Sequence, residues 1–385
     1  MKTQNKKQVN AVRYFDYSLL TIVIFLVCYG LIMLYSTSSY SATIKFNGNS
    51  MYFFKRQAII SAGSIVVMLI VAKMDYHRFA KLSKLAYAVS FVLMALVWVP
   101  GIGIEAYGAR RWIRIPGVGM QMQPAEVTKV AVILFIPLLL CKISKKMKKW
   151  IEVEKVFLWG LAAGVGVFVL TDNLSTAIIV MGMVCIMIFV AHPKTGIFVG
   201  FVAAGTSFLG IALLFINRFL VDSKDFRLRR ILVWLHPEAH LDDGGFQVMQ
   251  GLYAIGSGGF FGKGLGNSTQ KMIIPEVQND MILAIICEEL GVFGALILLT
   301  MFGILLYRLI FIAQNAPDMY GSLMVTGIFA HIALQVVFNV CVVLGVIPTT
   351  GITLPFVSYG GTSVLFLMIE MGIALSVSNR IEFQE

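Results

Sequence analysis

The chain has 385 residues, of which 58% are hydrophobic and 13% charged, with a mean hydropathy of +0.84 and a formal net charge of +11. That balance excludes a soluble globular domain and points to an integral membrane protein, so the positive charge reads as membrane topology and not as a nucleic-acid surface. Five cysteines (Cys28, Cys141, Cys185, Cys287 and Cys341) sit in or beside apolar runs without a CxxC pair, which excludes a disulfide framework and a cysteine zinc site.

The start, MKTQNKKQVNAVRYFDY, is basic, and the apolar run behind it is too long for a cleaved signal peptide. Apolar runs long enough to cross a bilayer predict ten spans, near residues 17–38, 57–73, 82–100, 126–142, 155–171, 174–191, 195–215, 281–308, 320–346 and 355–378. Their continuity, without polar alternation, predicts helices throughout: an all-α polytopic membrane protein. Residues 1–16 and 379–385 read as short tails, and 216–280 as a long extracytoplasmic loop between helices 7 and 8, the whole forming one membrane domain. With the N-terminus inside, inner segments carry 17 Lys or Arg against six on the outer side once the long loop is discounted, so both termini are assigned to the cytoplasm.

Two outer segments oppose that charge bias. GARRWIR places Arg110, Arg111 and Arg114 around Trp112, as an anion-binding surface or an interfacial anchor. In the long loop, residues 226–235 predict a basic helix lying along the membrane surface with Trp234 as its anchor. Glycines from Gly256 to Gly266 fit neither dinucleotide nor Walker spacing and read as tight backbone packing in an irregular or re-entrant loop. His236 and His240, near Asp242 and Asp243, are spaced like metal ligands, but Pro237 and the loop setting favour solvated residues.

Ionisable groups inside the apolar runs are functional candidates. Glu126 and Lys129 stand at i and i+3 on helix 4 and predict an ion pair. Asp172, in TDNLSTA, reads equally as an N-cap or a site residue, and Glu370 requires a buried partner or a proton. PEVQNDMILAIICEELG holds Asp280, Glu288 and Glu289. Helical phase sets Glu288 and Glu289 away from the face of Asp280, so those two read as structural ties to neighbouring helices. Asp280 stands about 15 Å above the uninterrupted apolar run, lining an outward-facing cavity.

PEVQNDMILAIICEELG, GFQVMQGLYAIGSGGFFGKGLGNSTQK, GARRWI, QPAEVTK and NVCVVLGVIPTTGITLPFVSYGGTS together resemble the SEDS family (shape, elongation, division and sporulation), which includes FtsW and RodA. The resemblance covers nearly the whole chain, and the opening DYSLLTIVIFLVCYGLIMLYSTSSYSA favours the FtsW-like branch. It implies a ten-helix bacterial plasma-membrane glycosyltransferase that polymerises lipid II onto an undecaprenyl-linked glycan strand. It also implies work beside a class B penicillin-binding protein and other divisome or elongasome proteins, at the septum for the division branch. Asp280 matches the family's essential aspartate and is the expected general base. Arg111 and Lys129, with Arg110 and Arg114, are expected to hold pyrophosphate, and Glu126 matches the acid of the QPxExxK motif. Gln250, Lys271 and Ser358 fall in further matching segments. A divalent cation such as Mg2+, bridging Asp280 and pyrophosphate, is the one cofactor expected. The sequence departs from the family pattern at Gln278-Asn279, where His-Thr is common, at Asp172-Asn173, where the acid has moved by one position, and at Tyr107, where Asn is usual. A lipid II flippase and a non-catalytic scaffold for the transpeptidase are the alternative readings.

Overall fold

The structure, a computed structural model, describes residues 11–106, 109–114, 121–194, 196, 200, 226–240 and 244–384. In chain order the elements are β1 (Ala11–Tyr14), α1 (Tyr17–Lys45), α2 (Tyr52–Lys73), α3 (Tyr76–Leu96), β2 (Gly103–Ala106), β3 (Ala109–Arg114), β4 (Gln121–Met122), α4 (Pro124–Ile143), α5 (Trp150–Thr171), α6 (Leu174–Ala191), α7 (Phe226–Leu235), α8 (Gly245–Gly258), α9 (Ile282–Asn315), α10 (Met319–Val343), α11 (Ser363–Ser378) and β5 (Ile381–Gln384). Eight of these helices are long and apolar enough to cross a membrane, and α11 is a shorter apolar helix. The span expected at 195–215, apart from residues 196 and 200, lies outside the described residues, as do Asp242, Asp243 and Tyr107.

Polar residues set the helix starts. Asp16, Asp75, Asn173 and Asp318 each accept a backbone N–H from the first turn of α1, α3, α6 and α10, at 2.7 to 3.1 Å. Pro124 opens α4, where its missing N–H costs nothing. Between helices, small residues let backbones approach. A Cβ at Gly372 of α11 would lie 2.7 Å from the Met68 carbonyl of α2, and one at Gly30 of α1 would lie 2.6 Å from the backbone at Val357.

The last span is shorter than its hydropathy predicts. Residues 344–362 form no long helix, because Pro348 and Pro355 remove donors and Gly345, Gly351, Phe356 and Gly361 take positive φ. Two small sheets also depart from the all-helical expectation. One is β2-β3-β4; the other pairs β1 with β5 antiparallel, Ala11 opposite Gln384 and Tyr14 opposite Ile381. Strands of two to six residues carry no period that a sequence window registers.

The long apolar run at 282–315 is two helices joined end to end. Gly291, at φ 69° and ψ −172°, breaks α9 and leaves backbone groups on both sides without helical partners. The glycine turn after α8 supplies them. Lys263 and Gly264 donate N–H to the Glu288 and Glu289 carbonyls, both at 2.9 Å, while Val292 and Phe293 donate to the Gly259 and Phe260 carbonyls at 3.1 and 3.0 Å. Only glycine fits this crossing: a Cβ on Gly262 would lie 2.2 Å from the Glu289 carbonyl oxygen, and one on Gly291 2.2 Å from that of Phe260. The tight packing expected of these glycines is therefore specific to a broken helix, and α8 itself is more regular than the expected loop.

Glu288 and Glu289, both fully buried, lock the same junction. Glu288 accepts from Lys263 Nζ at 2.7 Å, from the Ser268 hydroxyl, and from Thr269 through its N–H and hydroxyl. Glu289 accepts from Lys271 Nζ at 3.0 Å and from the Ser36 hydroxyl of α1 at 2.6 Å. Both are structural ties, as their helical phase implies, and the residues they tie are chiefly those of the glycine turn.

Candidate active site

Asp280 ends the loop that enters α9, two residues before the helix begins. The Gln247 amide of α8 donates to its Oδ1 at 3.4 Å, and the Asn339 amide of α10 donates to its backbone carbonyl at 2.8 Å. The same Asn339 amide reaches the Ile352 carbonyl at 2.8 Å, so one side chain joins the Asp280 loop to the irregular segment before α11. Tyr359 N–H donates to the Gln278 carbonyl at 2.9 Å and closes that junction from the other side.

The 349–354 stretch is a shared floor. Ser175 of α6 donates to the Thr350 carbonyl at 3.0 Å, Arg230 of α7 to the Thr349 carbonyl at 3.3 Å, and Gln335 of α10 to the Thr353 carbonyl at 2.9 Å. Arg230 thereby points into the space around Asp280. Its guanidinium is pushed down by burial and by the charge of Arg111, and pushed back up by Asp280 and Asp172. Asp280 is raised above the usual carboxylate range by burial, against the opposing pull of its own backbone N–H, Arg230 and Gln247. Two arginines and two carboxylates therefore lie near enough to act on one another's charge. Two non-glycine residues at positive φ, Asp172 and Glu276, also belong to this neighbourhood.

Strand geometry sorts the three arginines expected to act together. Alternate residues of β3 face opposite ways. Arg111 turns inward, donating from Nη2 to the Asp172 carbonyl at 2.9 Å. Arg110 turns outward, bonding Glu105 at 3.2 Å and lying 5.5 Å over the Trp98 ring, and Arg114 is exposed on that same outer side. Only Arg111 of the three joins the cluster around Asp280.

Glu126 and Lys129 of α4 do pair, Nζ to Oε1 at 2.9 Å, with the lysine side chain 3% exposed. β4 leads into that helix, and the Gln121 carbonyl accepts the Thr362 hydroxyl at 3.0 Å, which fixes the start of α4 beside the start of α11. Lys271 is not available to a substrate, since Glu289 and the Gly266 carbonyl hold its ammonium in the buried lock. Ser358 staples its own turn, accepting the Leu354 N–H at 2.9 Å. Gln250, partly buried on α8, lies one turn beyond Gln247, and it is Gln247 that meets Asp280. The helix cap expected of Asp172 is made by Asn173, which leaves Asp172 in left-handed backbone at the end of α5.

The basic helix expected at 226–235 forms as α7, and the polar edge of Trp234 turns to the protein. Its indole N–H donates to the Gly345 carbonyl at 2.7 Å, which docks α7 on the chain and aims Arg230 inward. Among the described residues no three His, Cys, Asp or Glu side chains gather as a metal cluster.

Comparison with known proteins agrees with this architecture. The family model described as "Cell cycle protein", which groups FtsW, RodA and SpoVE, matches residues 17–382. The chain belongs to that family. Stage V sporulation protein E of Bacillus subtilis strain 168 is 40% identical over 369 residues, 94% of this chain and 96% of the relative. A probable peptidoglycan glycosyltransferase FtsW of Geobacter sp. strain M18 is 35% identical, covering 95% of this chain and 97% of the relative. Among solved structures, a chain of a peptidoglycan synthase complex that coordinates polymerisation and crosslinking superposes with a TM-score of 0.73 at 26% identity, over 96% of this chain and 99% of that one. The rod shape determining protein RodA of Thermus thermophilus has the same fold, with a TM-score of 0.64 at 24% identity over 96% and 98% of the two chains. The chain is thus a multi-pass membrane protein of the FtsW/RodA/SpoVE family.

Proposed function

We propose that the chain is a peptidoglycan glycosyltransferase that polymerises lipid II at the outer face of the bacterial plasma membrane, with both termini in the cytoplasm. The observation that carries this reading is Asp280 poised between Gln247, Asn339 and the charge of Arg230. Family membership and the names of the relatives support the activity. The excess of basic residues on the inner segments, and the pairing of β1 with β5, support the topology.

Glycan extension joins a sugar hydroxyl to an anomeric carbon that carries a lipid pyrophosphate. The Asp280 carboxylate takes the proton of the acceptor 4-hydroxyl as its oxygen attacks; the bond from that carbon to pyrophosphate breaks, and configuration inverts. Burial makes Asp280 a stronger base than a solvated carboxylate. Arg111 and Arg230 stand where negative charge grows on the leaving pyrophosphate, with the paired Lys129 as a further cation for the lipid-linked donor. A divalent ion held by Asp280 and the pyrophosphate oxygens would screen that charge, and one carboxylate plus phosphates suits Mg2+. A class B penicillin-binding protein that cross-links the product, within the division or elongation machinery, is the partner consistent with the synthase-complex relative.

The deciding experiment is polymerisation of lipid II by purified protein in the presence of its partner. Asp280→Asn should lower the rate by at least about 100-fold, the size of a general-base contribution, with folding unchanged. Full activity in that variant would remove the base assignment. Movement of lipid II across liposomes without polymer would replace the enzyme by a transporter.

A further inference from the structure

α10 carries His331, Gln335 and Asn339 at i, i+4 and i+8, which puts all three on one face. Each is buried: His331 is 1% exposed, Gln335 5% and Asn339 0%. His331 Nδ1 lies 2.7 Å from Oε2 of Glu370 on α11, itself fully buried. Gln335 and Asn339 spend their amide N–H groups on the Thr353, Ile352 and Asp280 carbonyls. Every member of the row still has one polar atom left over. Among the described residues, His331 Nε2, Glu370 Oε1, Gln335 Oε1 and Asn339 Oδ1 meet no hydrogen-bonding partner.

Four such atoms in a row inside a membrane bundle would each forfeit the hydration that buried polar groups normally recover from protein or ordered water. Four residues of helix advance about 6 Å. One water, hydrogen-bonded on each side at about 2.8 Å in its bent geometry, spans about 4.5 Å, so a turn of helix takes one or two waters. Waters between successive turns would give each of these atoms the partner the protein withholds, two polar groups at a time.

We infer that His331, Gln335, Asn339 and Glu370 hold a file of water molecules running from the Asp280 loop into the bundle and ending at the His331–Glu370 pair. The file is closed at its inner end. Below His331, α10 presents Met324, Val325 and Ile328, and below Glu370, α11 presents Met371, Ile373 and Ala374, all at most 1% exposed and apolar. Thr326, the nearest polar side chain on that stretch, satisfies itself on the Ser322 carbonyl. Along these two helices the polar path to the His331–Glu370 pair therefore comes from the Asp280 end. The inference stands whichever role Asp280 plays in catalysis.

Hydroxyl radicals made by a synchrotron X-ray pulse react within a few ångströms of the water that yields them, so they report water inside a protein. The full chain in lipid nanodiscs, pulsed in 18O-enriched water, should show His331 labelled at least tenfold faster than Met324, a fully buried residue two helical turns away on the same helix. Gln335→Leu, which fills the middle of the row with an apolar side chain, should lower His331 labelling severalfold while Met324 stays unlabelled. Labelling of His331 no faster than Met324 in the unaltered protein would overturn the proposal without recourse to any variant. Labelling of His331 unchanged in a folded Gln335→Leu protein would overturn the route.

Discussion

Burial and a neighbouring guanidinium act on Asp280 in opposite directions, and activity at low pH reports their balance. In the base role proposed for Asp280 only the ionised carboxylate accepts a proton, so the rate should fall as pH drops through its pKa, which burial raises. Removing the positive charge of Arg230 takes away a force that lowers that pKa. Arg230→Gln should therefore move the acid limb of the polymerisation pH profile to higher pH and weaken activity at every pH below the plateau. Asp280 was legible in the sequence because a carboxylate at the head of an apolar helix demands a reason. Arg230 was not, because it is one of three arginines in FRLRR and only the docking of Trp234 tells which of them turns inward. Asn339 was equally hidden, its amide reading as an ordinary polar residue until α10 brings it under Asp280.

At the scale of elements, α9 behaves as a short helix on the Asp280 side and a spanning helix on the other, joined at Gly291 through the glycine turn. Gly291→Ala must force a Cβ into the Phe260 carbonyl and hold alanine in a conformation that glycine alone takes easily; it should cost about 3 kcal/mol and lower the thermal unfolding midpoint in detergent. Glu289→Ala should cost about 3–5 kcal/mol, because it strands the buried Lys271 ammonium, whereas the double change with Lys271→Met should recover much of the loss. A midpoint equal to the parent's in the single Glu289 variant would mean that water reaches the lysine. The acids were legible through helical phase, but the break was not: glycine is ordinary in membrane helices, and the interlock that demands it comes from a turn about thirty residues away in sequence.

For the whole molecule, hydropathy located the spans, since crossing a bilayer imposes a length and a composition that any window detects. The closure of the bundle escaped it. β1 and β5 pair across the full length of the chain, Arg308 of α9 bonds Asp16 at 2.7 Å, and His77 sits 2.8 and 2.7 Å from Asp75 and Asp318. The His77 backbone N–H holds the Asp75 carboxyl below the usual carboxylate range; burial opposes the same effect at Asp318, but the Gly321 N–H, the Tyr76 hydroxyl and His77 prevail. Depressed carboxylates stabilise the fold above their unfolded pKa and lose that contribution as pH falls through the folded one, whereas His77, lowered by burial but raised further by Asp75 and Asp318, loses its contribution as pH rises through its raised pKa, so the clasp should loosen on both sides. Unfolding midpoints of the parent and of Asp318→Asn should accordingly differ at neutral pH and converge toward pH 3. The paired terminal strands have a further consequence. Ala11 stands opposite Gln384, so the first and last described elements close on each other. A circular permutant joined across that gap and opened in the lysine-rich turn between α4 and α5 should insert, fold and superpose on the parent.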